Sequence, residues 1–182
     1  MRLVAGGDTH AQRVLAHRLA PRIQRVAHRL LANGADADDA AQIALMEILR
    51  SAATYREESS IERWADRIAV RTSLRYAREQ RQRGWFMGGS ADADEFRAHD
   101  ENETAHEETP RKLDEYLAQL PASRREVLVM KHALGYTTEE IAELTDKPVG
   151  TVKDRLVAAR KQIRRLIVRE LKLGARGDGS HE

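Results

Sequence analysis

Residues 137–166 read TTEEIAELTDKPVGTVKDRLVAARKQIRRL, and their spacing decides the fold. Thr137 with Glu140 has the capping-box pattern that opens a helix, and Ile141 and Leu144 mark its inward face. A short turn, Thr145 to Pro148, follows. The next helix carries Val152, Leu156, Ala159, Ile163 and Leu166, spaced by four, three, four and three residues, which is one helical stripe. A short helix, a tight turn and a longer basic helix is the helix-turn-helix arrangement. The second helix carries Lys153, Arg155, Arg160, Lys161, Arg164 and Arg165, yet Asp154 lies among them. At ~100° per residue, the apolar stripe puts Asp154, Val157 and Lys161 farthest outward, with Lys153 and Arg160 at the flank. Gly150 and Thr151 keep the leading end slim enough for a groove.

The rest of the 182 residues bounds what such a unit belongs to. There is no cysteine, which excludes disulfides and thiolate metal sites and fits a reducing compartment. No stretch approaches ~18 consecutive apolar residues, and no signal-peptide core is present, so the expectation is a cytoplasmic protein without membrane insertion. No run alternates with period two, which predicts an all-α chain. The net charge of +2 conceals segregation: residues 1–84 hold 15 Lys+Arg against 10 Asp+Glu, residues 85–110 hold 1 against 8, and residues 111–182 hold 15 against 11. The acidic block has little apolar content after Met87 and cannot offset the entropy of ordering. The predicted organisation is a helical domain over 1–84, a flexible acidic linker over 85–110, a helix-turn-helix domain over 111–174 and a disordered tail over 175–182.

In the first domain, Asp8 or Thr9 can cap a helix whose stripe is Leu15, Leu19, Ile23, Val26 and Leu30. Pro21 lies inside it and is expected to kink or break it. Asn33-Gly34 is read as its stop, and Asp36 or Asp38 as the cap of a second helix packing Ala40, Ala41, Ala44, Leu45, Ile48 and Leu49. Ser59 with Glu62 suggests a capping box for a third helix with Ile61, Trp64, Ala65 and Ile68 inward. That helix continues into a basic run, Arg71, Arg75, Arg78, Arg81 and Arg83, interrupted only by Glu79. In the second domain Leu113 and Leu117 mark one helix. Pro121 and Ser123 open another, carrying Val127, Leu128 and Met130 and ending near Gly135.

Residues 120–166, LPASRREVLVMKHALGYTTEEIAELTDKPVGTVKDRLVAARKQIRRL, resemble region 4 of bacterial RNA polymerase sigma factors, most closely the small extracytoplasmic-function group. Upstream, DADDAAQIALMEIL (36–49) is similar to the region 2 helix of that group, and YREESSIERWADRIAVR (55–71) to its promoter-melting segment. The resemblance covers about 3–83 and 112–168. It implies docking of Asp38, Asp39 and Gln42 on the clamp helices of the polymerase beta-prime subunit, and contact with the beta flap. It implies further that Tyr55, Arg56, Ser59 and Ser60 lie near the −10 element, where a base is extruded from the opened strand. Arg71, Arg75, Arg78 and Arg81 would follow phosphates. Thr151, Lys153, Asp154, Arg155, Val157, Arg160 and Lys161 would meet the −35 element, and an anti-sigma factor, which the sequence does not identify, would be a further partner.

No catalytic, cofactor or metal site is expected. The seven histidines show no i, i+4 pair, and no glycine loop follows a strand to cradle phosphate. The leading reading is a sigma factor that brings core polymerase to promoters. Two alternatives stay open on sequence: a stand-alone helix-turn-helix regulator using only 111–174, and an inactive relative serving as a protein-interaction module.

Overall fold

In a computed structural model of the chain, residues 1–86 and 113–177 are described, with side chains to residue 83 in the first stretch and to residue 170 in the second. Every described element is a helix or a turn. The chain divides into two compact units, Met1–Ala91 and Asp92–Glu182.

The first unit contains α1 (Arg2–Ala5), α2 (Thr9–Leu30), α3 (Gly34–Arg50), a 3₁₀ turn (Ala52–Thr54) and α4 (Ile61–Phe86). Asp8 caps α2 by accepting from the Ala11 amide at 2.7 Å. The predicted stripe Leu15, Leu19, Ile23, Val26 and Leu30 is buried throughout. Each such side chain, fully removed from water, contributes about 1.5–3 kcal/mol. Pro21 does not break α2, which is assigned as one helix from Thr9 to Leu30. Pro21 and His17 lie on the exposed face, where water can take the carbonyl that the missing N–H leaves unbonded.

Two expected caps are displaced. Asn33 does not stop α2; it caps α3 by accepting from the Ala35 amide at 2.9 Å, and Gly34 is the first helical residue. Neither Asp36 nor Asp38 is therefore the cap. At α4 the Ser60 hydroxyl, and not that of Ser59, accepts from the Arg63 amide at 3.2 Å. Both shifts follow from the number of residues needed to reverse the chain, which helical spacing does not encode.

The inward face of α4 also differs from the expected one. Ala65, Ala69, Val70, Thr72, Ser73 and Leu74 are buried, whereas Ile61, Trp64 and Ile68 are only half-buried. Since α4 contacts both α2 and α3, it covers a face wider than one stripe, lined by small residues. Asp66 lies within it at 4% exposure. Its carboxylate is held by a two-pronged ion pair, Arg22 Nε to Oδ1 at 2.7 Å and Nη2 to Oδ2 at 2.6 Å. Arg18 and Glu62, at 2.6 Å, repeat the link one turn away.

The second unit contains α5 (Leu113–Ala118), α6 (Ala122–His132), α7 (Thr138–Thr145) and α8 (Val149–Gly177). Val127, Val129, Met130, Tyr136, Ile141, Val152, Leu156 and Ala159 are among its buried apolar residues. Leu113 is exposed, and Tyr116, Leu117 and Leu120 take the inward role expected of it. Leu128 is half-buried, its place taken by Val129. Helix α4 runs past residue 84 to Phe86, and α8 past residue 174 to Gly177, so Ala175–Gly177 are helical. The remainder of the expected linker and tail, 87–110 and 178–182, lies outside the described residues.

Replacing Arg22 by Ala strands a buried carboxylate between two helices. The expected outcome is a loss of about 2–3 kcal/mol, read from urea unfolding, with Arg18→Ala at the exposed neighbouring pair costing under about 1 kcal/mol.

Candidate nucleic-acid interface

The helix-turn-helix is built by local hydrogen bonding. Thr137 accepts from the Glu140 amide at 3.1 Å while Glu140 accepts from the Thr137 amide at 2.8 Å, a complete capping box. α7 ends with Asp146 in the left-handed region, φ 54° and ψ 49°. Lys147 N–H then donates to Ala142 O at 3.0 Å and Asp146 N–H to Glu143 O at 3.4 Å, which is the Schellman closure. Aspartate tolerates this conformation better than most residues that have a side chain beyond Cα. Pro148 cannot extend α7, and its carbonyl accepts from the Val152 amide in the first turn of α8 at 3.1 Å.

Val152, Leu156 and Ala159 are buried and fix the rotation of α8, with Ile163 half-buried beyond them. The opposite face carries Asp154, Val157 and Lys161, all exposed, with Val157 at 63%. Lys153 and Arg160 are exposed beside them, and Thr151 and Arg155 are half-buried at the edge. A Cβ on Gly150 would meet nothing within 4 Å, so packing inside the chain does not require glycine there. Asp154 makes no ion pair among the described residues, and the positions three and four away, Gly150, Thr151, Val157 and Ala158, offer it no cation. Among the described residues, neither the exposed Val157 nor the unpaired Asp154 takes part in packing.

Arg160 is oriented from α6. Its Nη2 lies 3.2 Å from His132 Nε2. A guanidinium can only donate, so Nε2 must be the unprotonated acceptor. Partial burial, then the charges of Arg160 and Lys131, hold the His132 imidazole below the usual histidine value.

In the first unit the loop 55–60 is closed by the Tyr55 hydroxyl, which donates to Ser59 O at 2.7 Å, and by the tilted stacking of Tyr55 on Trp64 at 5.4 Å. Glu57 takes φ 59°, so the loop bends through a conformation unusual for glutamate. Arg56, Ser59 and Ser60 are exposed on it. Arg71 and Arg78 are exposed and, among the described residues, make no ion pair. Arg75 is also exposed but is paired with Glu47, and Arg81 Nε donates to Ala77 O at 3.2 Å. Arg63 and Arg67 extend the same row toward the loop; the i, i+4 spacing 63, 67, 71, 75 was the signal for them.

On α3, Asp38, Asp39 and Gln42 are exposed. Asp38 accepts from His28 Nε2 at 2.8 Å, and Asp39 from the Tyr76 hydroxyl at 3.0 Å. Met46, 46% exposed, shares their face at i+7 from Asp39, and sequence reasoning missed it. The structure thus puts the residues expected to meet polymerase and the −10 element in the first unit, and those expected to meet the −35 element in the second. Among the described residues no group of three or more metal-ligating side chains converges, and no helix is long and apolar enough to cross a membrane.

The chain matches the family "Sigma-70 region 2" over residues 15–83 and "Sigma-70, region 4" over 111–163. It is 28% identical over 169 residues to the ECF RNA polymerase sigma-E factor of Haemophilus influenzae, covering 88% of this chain and 89% of that one. The ECF RNA polymerase sigma-E factor of Escherichia coli K12 is 29% identical over 173 residues, with 88% of each covered. SigM of Mycobacterium tuberculosis is 29% identical over 161 residues, covering 88% and 79%. In fold the chain is similar to the sigma factor RpoE of Bartonella quintana, solved with the anti-sigma factor NepR, at a TM-score of 0.58 and 21% identity over 85% of this chain and 95% of that one. CnrH, solved with the cytosolic domain of CnrY, gives 0.51 and 18%, covering 91% and 93%.

The His132 geometry has a direct readout. An NMR titration is expected to give His132 an apparent pKa below the ~6.5 of free histidine, and Arg160→Ala should raise it. Because the folded value is the lower one, the unfolded chain binds the extra proton first. Stability drawn from this contact is therefore full above about pH 6.5 and declines as pH falls through it.

Proposed function

The chain belongs to the sigma-70 family, in its extracytoplasmic-function group, and from that premise we propose that it binds core RNA polymerase, engages the −10 and −35 promoter elements and promotes transcription initiation. The observation that carries this reading is the ordered pair of sigma-70 regions, each on its own compact unit with a long basic helix exposed along one side. A single helix-turn-helix would serve a repressor equally well. Region 2 ahead of region 4 would not be needed by one.

Polymerase docking falls to the outer face of α3, Asp38, Asp39 and Gln42 with Met46, against the beta-prime clamp helices; the beta flap is the expected partner of the C-terminal unit. Asp38 and Asp39 would exchange His28 and Tyr76 for polymerase groups. Tyr55, Arg56, Ser59 and Ser60 lie on the loop assigned to the −10 element, and Arg71, Arg75, Arg78 and Arg81 to phosphates beyond it. On α8, Lys153, Arg155 and Arg160 at the flanks, with Lys161 farther along the outward face, would meet phosphates, which set orientation and carry most of the affinity. Thr151, Asp154 and Val157 face the base edges. The protein acts by binding, with no chemical step of its own, in the cytoplasm where polymerase is. An anti-sigma factor, of the kind seen with the Bartonella relative, is the regulator this group suggests.

Run-off transcription with core polymerase tests the whole reading. Transcripts that start at a defined position only when the chain is added are expected, and binding to DNA without polymerase-dependent initiation would return it to the repressor class.

Asp154 gives a residue-level test. A carboxylate repels phosphate but accepts from the exocyclic amine of cytosine, so it contributes selectivity at the expense of affinity. Val157, one turn on, suits a thymine methyl. Asp154→Ser is expected to relax preference at one −35 base pair by roughly 1–3 kcal/mol and to tighten binding to unrelated DNA. Selection of −35 variants against both proteins reads this, and identical base profiles would reduce Asp154 to a surface charge.

A further inference from the structure

Arg75 occupies the middle of the basic row on α4, but its state differs from that of its neighbours. Its Nη2 donates to Glu47 Oε1 on α3, and its Nε is 4.0 Å from Glu79. Arg71 and Arg78, four residues before and three after, have no such partner among the described residues. Glu47 is itself fixed from behind: its other oxygen, Oε2, accepts from the hydroxyl of Thr72, a side chain 1% exposed. Burial pushes the Glu47 carboxyl up, but the bonds from Thr72 and Arg75 outweigh it and hold the group below the usual carboxylate range. The result is an ionised, immobilised carboxylate presenting one oxygen to a guanidinium that is 53% exposed in the basic row of α4. This is the arrangement a phosphate oxygen would make with Arg75.

We propose that Glu47 is a positioning residue that holds Arg75 as an internal stand-in for a DNA phosphate, so that the free protein binds DNA more weakly than its basic row allows. Contact between Arg75 and DNA then costs the exchange of one charge-assisted bond for another, with little net gain, while Arg71 and Arg78 contribute in full. Glu47 adjoins Met46 on the helix whose outer face is assigned to polymerase, so docking there is placed to loosen the pair. The inference rests on the assignment of α4 to DNA.

The test uses the full chain and a labelled duplex of mixed sequence, with affinity measured across a salt series. Glu47→Gln is expected to bind about 3- to 10-fold more tightly at low salt, with a log–log slope steeper by up to about 0.9, one further phosphate contact. The gain should vanish in an Arg75→Ala background. Equal affinity and slope for Glu47→Gln and wild type would overturn the proposal. So would a gain that persists without Arg75, since that would report only the removal of a negative charge. If Glu47→Gln fails to fold, Glu47→Asp decides: it keeps the charge but withdraws the oxygen, and its gain or lack of gain is read in the same way. The double variant Arg71→Ala/Arg78→Ala separates the two levels. Weakened binding there with an inert Glu47→Gln removes only the role of Glu47, whereas no effect from either removes α4 from DNA and both readings with it.

Discussion

A carboxylate buried between helices must be paired or the helices must part, and Asp66 imposes that constraint on the N-terminal unit. Its two-pronged bond to Arg22 sets the register of α4 against α2, because both prongs form only in one alignment. Around it the contact is made by Ala65, Ala69 and Val70, residues small enough to let the backbones approach but poor in apolar area. Between these two helices, most of the large buried aliphatic side chains sit instead on α2. Register on α4 is thus set by charge where burial alone would leave it free to slide or rotate. Everything on its outer face, from Arg63 to Arg81, inherits that setting.

The C-terminal unit solves the same problem with apolar side chains. Val152, Leu156 and Ala159 lock the rotation of α8 against α6 and α7, and the capping box and the left-handed Asp146 fix where α8 begins. Rotation and starting point together determine that Asp154, Val157 and Lys161 share the exposed face. A helix set in this way can present a carboxylate in the midst of cations without neutralising it. On the proposed reading, cations at the flank would give affinity for any duplex and the acid in the centre would discriminate among them.

Side chains of one kind therefore do different work according to what lies opposite. Arg22 is structural, Arg71 and Arg78 are open, Arg75 is held by Glu47, and Arg160 is aimed by His132. On α3, Asp38 and Asp39 are both engaged within the unit while Gln42 is exposed beside them. Charge counted along the chain overstates what is available to a partner, since several of these groups must first give up an internal bond.

Much of this was determined by the sequence alone. Helical periodicity is local, so the all-α class, the stripe of α2, the capping box at Thr137 and the outward face of α8 were all readable from residue spacing. The helix-turn-helix was legible because its turn and caps lie within thirty consecutive residues. What only the tertiary structure decided depends on residues distant in the chain. The buried face of α4 differs from the one its spacing predicts because two helices cover it, and spacing describes contact with one. The caps at Asn33 and Ser60 moved because the length of a turn depends on where the next helix must land. Arg22–Asp66 and Arg75–Glu47 join positions 44 and 28 residues apart, and an ion pair leaves no periodic trace, since a charged residue at a given position reads the same whether it faces water or a partner. Folding assigns that partner, and with it the difference between a cation that holds the structure together and one that stays exposed on the surface.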